Sequence, residues 1–192
     1  MAREIELKAK ISYPDELKSK ISNFGTCLGE FEKHDEYWRL DKPDEISGGP
    51  GYGVRIRNES FINSNGESIN KTYVTWKRKE VRGGVEFNNE KEFEVSSAEI
   101  FRDFLLSLGF RNRISKHKKG NAYSYENMTI EVTRVEKLGW FIELEILLST
   151  ENKKAETEAR DKLLQTLDRL DIRRDAIEGR SYTQILQELY PT

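Results

Sequence analysis

The chain has 192 residues, of which 34% are charged and 36% are hydrophobic, whereas a typical soluble domain is about 25% charged and about 45–50% apolar. Its 32 Lys and Arg nearly balance its 34 Asp and Glu, for a net charge of −2, which argues against a general nucleic-acid binder, because such domains are strongly basic. No apolar run approaches the ~20 residues that span a bilayer, so no membrane partner is expected. We expect one domain over residues 1–192.

The sequence gives little support for a secretion signal, a disulfide or a zinc site. The start of the chain is charged throughout and does not resemble a signal peptide, so the expected compartment is the cytoplasm. Cys27 is the single cysteine, which excludes an internal disulfide. The two histidines, His34 and His117, leave little room for a zinc site, and we interpret both as surface residues in charged stretches.

The first half of the chain alternates apolar and polar residues with a period of two, which is typical of strands. Glu4–Ile11 shows this pattern, and a helix is predicted next over Tyr13–Phe24, with Gly25 after its end. Two stretches rich in loop formers, Lys42–Gly51 and Asn63–Asn70, are interpreted as hairpin connections. The further strands predicted here are Phe31–Leu40, Val54–Arg57, Val74–Lys79 and Glu90–Val95.

The second half continues with a helix over Ser96–Leu108, which opens on the capping-box pattern Ser96-Ser-Ala-Glu99. A long polar helix is predicted over Glu151–Leu170 and a short one over Ser181–Tyr190. The strands between these helices are Ala122–Tyr125, Thr129–Thr133 and Ile142–Ile146. The whole chain therefore reads as about eight strands with three or four helices.

The charges opposite the apolar strand positions are sorted by strand. Glu, Glu and Lys come first, followed by two Arg, two Lys, three Glu and two Glu on successive strands. The simpler interpretation is an open antiparallel sheet with one face in water, but such a face usually mixes both signs within each strand. Taken together, the strands favour an α+β fold: a closed or nearly closed antiparallel barrel of about eight strands, with charged faces inside and flanking helices outside.

A barrel interior of this kind suits a triphosphate with a divalent metal. Carboxylate oxygens are ligands for Mg²⁺ or Mn²⁺, and Arg and Lys bind phosphate oxygens. Phosphoryl chemistry asks mainly for positioning and charge stabilisation from the protein. The sequence therefore indicates a small-molecule triphosphate as the partner.

Several motifs in order resemble the CYTH superfamily, the triphosphate tunnel metalloenzymes. Glu4-Ile-Glu6-Leu-Lys8 is similar to the N-terminal Glu-x-Glu-x-Lys signature of that family. The segment Gly179–Leu186 resembles the C-terminal segment of the class IV adenylyl cyclase branch. The family's other segments are matched by Val54–Arg57, Thr75–Lys77, Lys91–Glu94 and Leu138–Glu145.

The resemblance implies a metal-dependent enzyme, with Glu6, Glu143 and Lys8 as the catalytic residues. The implied metal ligands are Glu4, Glu6 and Glu143, with Glu145 as a further candidate. The implied phosphate ligands are Lys8, Arg55, Arg57, Lys77, Lys116, Lys118 and Arg180. The reaction is either cyclisation of ATP to cyclic AMP and pyrophosphate, which the C-terminal segment favours, or hydrolysis of an organic, inorganic or nucleoside triphosphate. A non-catalytic polyphosphate-binding or nucleotide-binding barrel is the third alternative, and the family's frequent dimers make a homodimer an open expectation.

Two departures from the family pattern stand out. Ten residues before Glu143 the family usually has an aspartate, whereas this chain has Thr133, and Glu131 is the candidate metal ligand in its place. The family's Lys-x-Arg-x-x-Tyr segment is replaced by Lys116–Tyr123, which contains three lysines and no arginine. Both departures leave the choice between cyclase and triphosphatase open.

Overall fold

The computed structural model describes residues 3–40, 53–149 and 152–190, without the side chains of 77–79 and 89–90. The predicted connection Lys42–Gly51 lies outside the described residues. Among those described, no helix is both long and apolar enough to cross a membrane. The strands are β1 Arg3–Lys10, β2 Thr26–Leu40, β3 Val54–Asn63, β4 Ser68–Arg82, β5 Val85–Glu94, β6 Phe110–Tyr125, β7 Met128–Val135 and β8 Gly139–Leu148. The helices are α1 Pro14–Ser22, α2 Ala98–Ser107, α3 Lys153–Arg169 and α4 Tyr182–Leu189.

The eight strands form one antiparallel sheet that closes on itself. Their order is β1-β5-β4-β3-β2-β6-β7-β8, and β8 pairs with β1 to complete the barrel. The pairing of β1 with β5 is short and joins Arg3–Glu6 to Glu86–Asn89. The predicted α+β fold, with a closed or nearly closed barrel of about eight strands, is confirmed.

The apolar faces of the strands point outward, and helices cover them. Ile5 and Leu7 of β1 are fully buried in the largest core cluster, which also contains Leu163 and Leu167 of α3. A second cluster joins α4 to the end of β7 and the start of β8, and a third joins α2 to β2 and β3. Because side chains alternate across a strand, this arrangement turns the charged positions of β1 and β8 into the barrel.

The structure corrects three details of the sequence-based prediction. Strands β2 and β6 are far longer than predicted, because both carry charged residues on either face for much of their length and so show no apolar alternation. The predicted loop Asn63–Asn70 is shorter, since β4 already begins at Ser68. The cap of α2 is Ser97 rather than Ser96, and its side chain accepts a hydrogen bond from the Ile100 backbone N–H.

Candidate active site

The interior of the barrel is divided into an acidic wall and a basic wall. The acidic wall spans β5, β1, β8 and β7, which are neighbours in the barrel, and the basic wall spans β3, β2 and β6. Most of the charged residues of the two walls, together with Lys8, line a cavity of about 180 Å³. The acidic wall consists of Glu4, Glu6, Glu86, Glu131, Glu143 and Glu145, and the basic wall of Lys33, Arg55, Arg57, Lys116 and Lys118.

Lys118 connects the two walls. Its Nζ lies 2.9 Å from a carboxylate oxygen of Glu131 and 2.8 Å from one of Glu143. Burial alone would lower the pKa of Lys118, but the two carboxylates outweigh it and raise this pKa above its ordinary value. The pKa of Glu131 is lowered in turn, because Lys118 and Lys33 outweigh its own burial. Lys118 and Glu131 are therefore both charged at neutral pH.

Asp35 holds two cations of the basic wall in place. It is 1% exposed, its two oxygens accept hydrogen bonds from Arg57 at 2.7 and 2.9 Å, and Lys116 lies 3.0 Å away. Burial would raise the pKa of Asp35, but Arg57 and Lys116 hold it well below its usual range. This carboxylate fixes the positions of Arg57 and Lys116 inside the barrel.

Lys8 is a cation on the acidic wall. Its ammonium group is buried and donates a hydrogen bond to Glu86. Burial would lower the pKa of Lys8, but Glu86 and Glu6 raise it overall. Lys8 is therefore a permanent positive charge beside the carboxylates.

Helix α4 places Tyr182 against the acidic wall. Ser181 caps the helix, and its side chain and that of Gln184 form a reciprocal capping box with the backbone. This cap directs the Tyr182 hydroxyl to Glu143, to which it donates a hydrogen bond of 3.0 Å. Burial, followed by the charge of Glu143, raises the pKa of Tyr182 well above its usual value, so that it stays a donor.

The structure brings most of the residues predicted from the sequence into one place. Glu131 lies just beside the cavity through its bond to Lys118, and Glu145 lies opposite Glu6 on the neighbouring strand. Glu4 is buried and accepts a hydrogen bond from Asn88. The predicted residues that line the cavity directly are Glu6, Lys8, Arg55, Arg57, Lys116, Lys118 and Glu143.

Arg180 does not line the cavity, and the side-chain position of Lys77, a second predicted phosphate ligand, is not described. Arg180 is half exposed, and its guanidinium group is held by Glu178 and Glu188, each at 2.6 Å. The side chain of Lys77 lies outside the described part of the structure, although its backbone pairs with β5. Both roles remain predictions.

Several residues of the site carry no motif by which the sequence would identify them. Each of these residues contacts one that the sequence does predict; they are Lys33, Asp35, Glu86 and Tyr182. The alternation of Phe31, Lys33, Asp35 and Tyr37 along β2 is the signal that places Lys33 and Asp35 inside. It is weak, because the residues between them are also polar.

The acidic wall fits a hard divalent cation. Its donors are carboxylate oxygens, the ligand type that Mg²⁺ and Mn²⁺ prefer. In addition, the Oδ1 atom of Asn88 is buried without a hydrogen-bond partner among the described residues, beside Glu4. Glu6, Glu143 and Glu131 are the residues that would hold a cation facing the basic wall.

A barrel with opposed acidic and basic walls defines a class of protein built to hold a polyanion with cations. The CYTH domain model matches residues 2–182, and the chain belongs to the CYTH domain family. Enzymes of this triphosphate tunnel family are metal-dependent and bind nucleoside triphosphates.

Individual relatives agree with this assignment. A Methanocaldococcus jannaschii protein named "Putative adenylate cyclase" is 25% identical over 185 residues, covering 95% of this chain and 97% of the relative. A solved protein from Pyrococcus horikoshii has a TM-score of 0.81 at 28% identity and covers 97% of this chain and 99% of its own. A Hippeastrum protein described as a "Putative adenylyl cyclase" that reveals a dominant triphosphatase activity has a TM-score of 0.68 at 18% identity. The match covers 98% of this chain and 96% of that protein, which therefore shares the fold.

From the ion pairs inside the barrel we predict how the free energy of unfolding depends on pH. The pKa of Glu131 is lowered in the folded state. The ionised Glu131 therefore contributes fully to the free energy of unfolding above its unfolded pKa of about 4, and this contribution is lost as the pH falls through its folded pKa. Glu131→Gln should therefore flatten the fall in unfolding free energy below about pH 5. Urea denaturation across this range measures the slope. Glu158→Gln, at an exposed position on α3, should keep the wild-type slope; an unchanged slope in Glu131→Gln would contradict the assignment.

Proposed function

We propose that the barrel binds ATP with divalent cations and converts it to cyclic AMP and pyrophosphate. One observation carries this choice: the segment that resembles the cyclase branch lies at the cavity. Ser181, Tyr182 and Thr183 line it, and Tyr182 bonds to Glu143 of the acidic wall. The name of the Methanocaldococcus relative supports the same reaction.

Each wall has its own task in this reaction. On the basic wall, Arg57 and Lys116 bind the triphosphate oxygens, while Lys8 binds them from the acidic side. On the acidic wall, Glu6 and Glu143 would hold the divalent cation, which when bound neutralises charge that develops on the phosphate in the transition state. Tyr182 orients Glu143 by its hydrogen bond.

Cyclisation forms a bond between the ribose 3′-oxygen and the α-phosphorus. The bond from that phosphorus to the pyrophosphate oxygen breaks, and the 3′-hydroxyl gives up its proton to water. The fixed charges of the two walls contribute by positioning the triphosphate and stabilising its charge, which is most of what phosphoryl chemistry requires of a protein. The charges of the leaving pyrophosphate are matched by the cations of the basic wall.

Hydrolysis of the terminal phosphate is the second candidate, and Thr133 favours it. Thr133 is fully buried where the family has a carboxylate, so the acidic wall differs there from the cyclase pattern. Lys118 instead bridges Glu131 and Glu143 across the adjoining strands. Water would then attack the terminal phosphorus and release free phosphate. A barrel that only binds polyphosphate is the remaining alternative.

Incubation of the pure protein with ATP and Mg²⁺ or Mn²⁺ separates these reactions. We expect cyclic AMP and pyrophosphate in equal amounts, identified by chromatography and a pyrophosphate assay. Free phosphate without cyclic AMP would establish the triphosphatase instead. If no product forms, the remaining alternative is a barrel that only binds polyphosphate. Glu6→Gln, which removes one charge from the acidic wall, is the matched inactive control.

The Thr133→Asp substitution tests the metal role of Glu131. Thr133 and Glu131 lie two residues apart on one face of β7, so a new carboxylate would crowd a second negative charge beside Glu131. We expect kcat with Mg²⁺ to stay flat or fall, with Thr133→Asn as the neutral control of similar size. A marked rise in kcat for Thr133→Asp alone would show that Glu131 does not replace the family's aspartate.

A further inference from the structure

Both histidines of the chain meet on the outer surface of the barrel, away from the cavity. His34 of β2 lies directly opposite His117 of β6 in the strand register. Their rings stack in parallel, with centroids 4.1 Å apart and an interplanar angle of 6°. From the sequence, two histidines leave little room for a zinc site; their pairing across β2 and β6 is visible only in the structure.

A carboxylate completes this pair. Glu32 lies two residues before His34 on the same face of β2, and its Oε1 is 2.7 Å from Nε2 of His117 and 3.7 Å from Nε2 of His34. The three candidate ligand atoms all lie within 4.8 Å of one another. Small side-chain rotations would bring them to the spacing that a tetrahedral ion requires, since metal–ligand distances are about 2.0–2.2 Å.

A second carboxylate orients one of the rings. Glu136 Oε2 lies 3.6 Å from Nδ1 of His117, on the side of the ring that faces away from Glu32. Metal-bound histidines commonly donate their other ring N–H to a carboxylate, which leaves the first nitrogen free to bind. Nε2–H of His117 now donates to Glu32, and an ion that displaces this proton would leave Nδ1 as the N–H nitrogen, on the side of Glu136.

We propose that His34, His117 and Glu32 form a second metal site, outside the barrel, for a borderline divalent cation such as Zn²⁺. Two imidazoles and one carboxylate are a known zinc ligand set, in which water takes the fourth position. Imidazole also favours Zn²⁺ over Mg²⁺, which prefers oxygen donors alone. Lys119, opposite Glu32 in the strand register, opposes the bound charge and limits the affinity.

The position of this site gives it a structural consequence. His34 lies between Lys33 and Asp35, and His117 lies between Lys116 and Lys118, all four of which project into the barrel. An ion bound outside would therefore join β2 to β6 directly behind the basic wall. Because it binds the folded protein, it should also raise the thermal unfolding temperature.

Calorimetric titration of the zinc-free protein with Zn²⁺, in saturating Mg²⁺ to occupy the barrel carboxylates, tests the proposal. We expect one bound ion per chain and the same binding in Glu143→Gln, which alters only the barrel. The double substitution His34→Gln and His117→Gln should abolish it, and Glu136→Gln should weaken it by about tenfold, as is usual for an orienting partner.

Co²⁺ supplies a spectroscopic readout of the same site. Its visible absorption should report a low-coordinate complex in the wild type that Zn²⁺ displaces, and this band should be missing from the double histidine variant. Circular dichroism checks that this variant, altered at two surface positions, is folded. Equal Zn²⁺ binding in the wild type and the double variant, loss of binding in Glu143→Gln, or no binding to the wild type would each overturn the proposal.

Discussion

Glu143→Gln is expected to lower kcat by about 100-fold or more while changing KM much less. Stabilisation through a bound metal is worth several kcal/mol in the transition state, and each 1.36 kcal/mol is about tenfold in rate. Glutamine keeps the size of the side chain and can still accept the hydrogen bond from Tyr182. The lost charge is therefore the main difference between the two proteins.

Steady-state kinetics with ATP and Mg²⁺ measures this effect. Glu158→Gln makes the same chemical change at an exposed position of α3 and should retain wild-type kcat and KM. A mutation that removes an interaction made only in the transition state lowers kcat, whereas loss of uniform binding raises KM. A kcat for Glu143→Gln close to that of the wild type would contradict the assignment of Glu143 as a metal ligand.

Asp35→Asn is expected to destabilise the folded protein by about 3–5 kcal/mol, because it leaves two buried cations without their shared partner. Asp35 is almost completely buried and forms ion pairs with both Arg57 and Lys116. The same variant should be stabilised more than the wild type by tripolyphosphate, since the anion replaces the missing negative charge beside those cations.

Thermal unfolding with and without tripolyphosphate gives both quantities in one experiment. Asp15→Asn is the matched control, because the Asp15 side chain is 94% exposed and pairs with Lys18 at 3.6 Å. This control should match the wild type in stability and in its response to the anion. Equal stability of Asp35→Asn and the wild type would mean that Asp35 does not hold the basic wall together.

The fold could be predicted largely from the strands that helices cover. In β1 and β8 the outer positions are apolar and the inner ones charged, so alternation reveals both the strand and its two faces. In β2 and β6 the pattern fails at residues 32–36 and 116–119, where polar side chains occupy both faces. Charges inside the barrel and an exposed surface outside leave no apolar face to detect there.

The same difference explains which site residues were predicted. Motif matches located Glu6, Lys8 and Glu143, because each lies in a strand with a recognisable pattern. The roles of Asp35 and of the two histidines depend on the register between β2 and β6. These strands are distant in the sequence and their pairing leaves no local signal, so the contacts emerge only from the three-dimensional structure.

Anomalous diffraction from crystals grown with Mn²⁺ and a non-hydrolysable ATP analogue tests the central claim most directly. The ion scatters anomalously and so can be located independently of the protein. We expect a Mn²⁺ peak inside the barrel against Glu6 and Glu143, with the phosphates between it and Arg57 and Lys116. A triphosphate bound outside the barrel, or no manganese peak near the acidic wall, would contradict the assignment of the two walls.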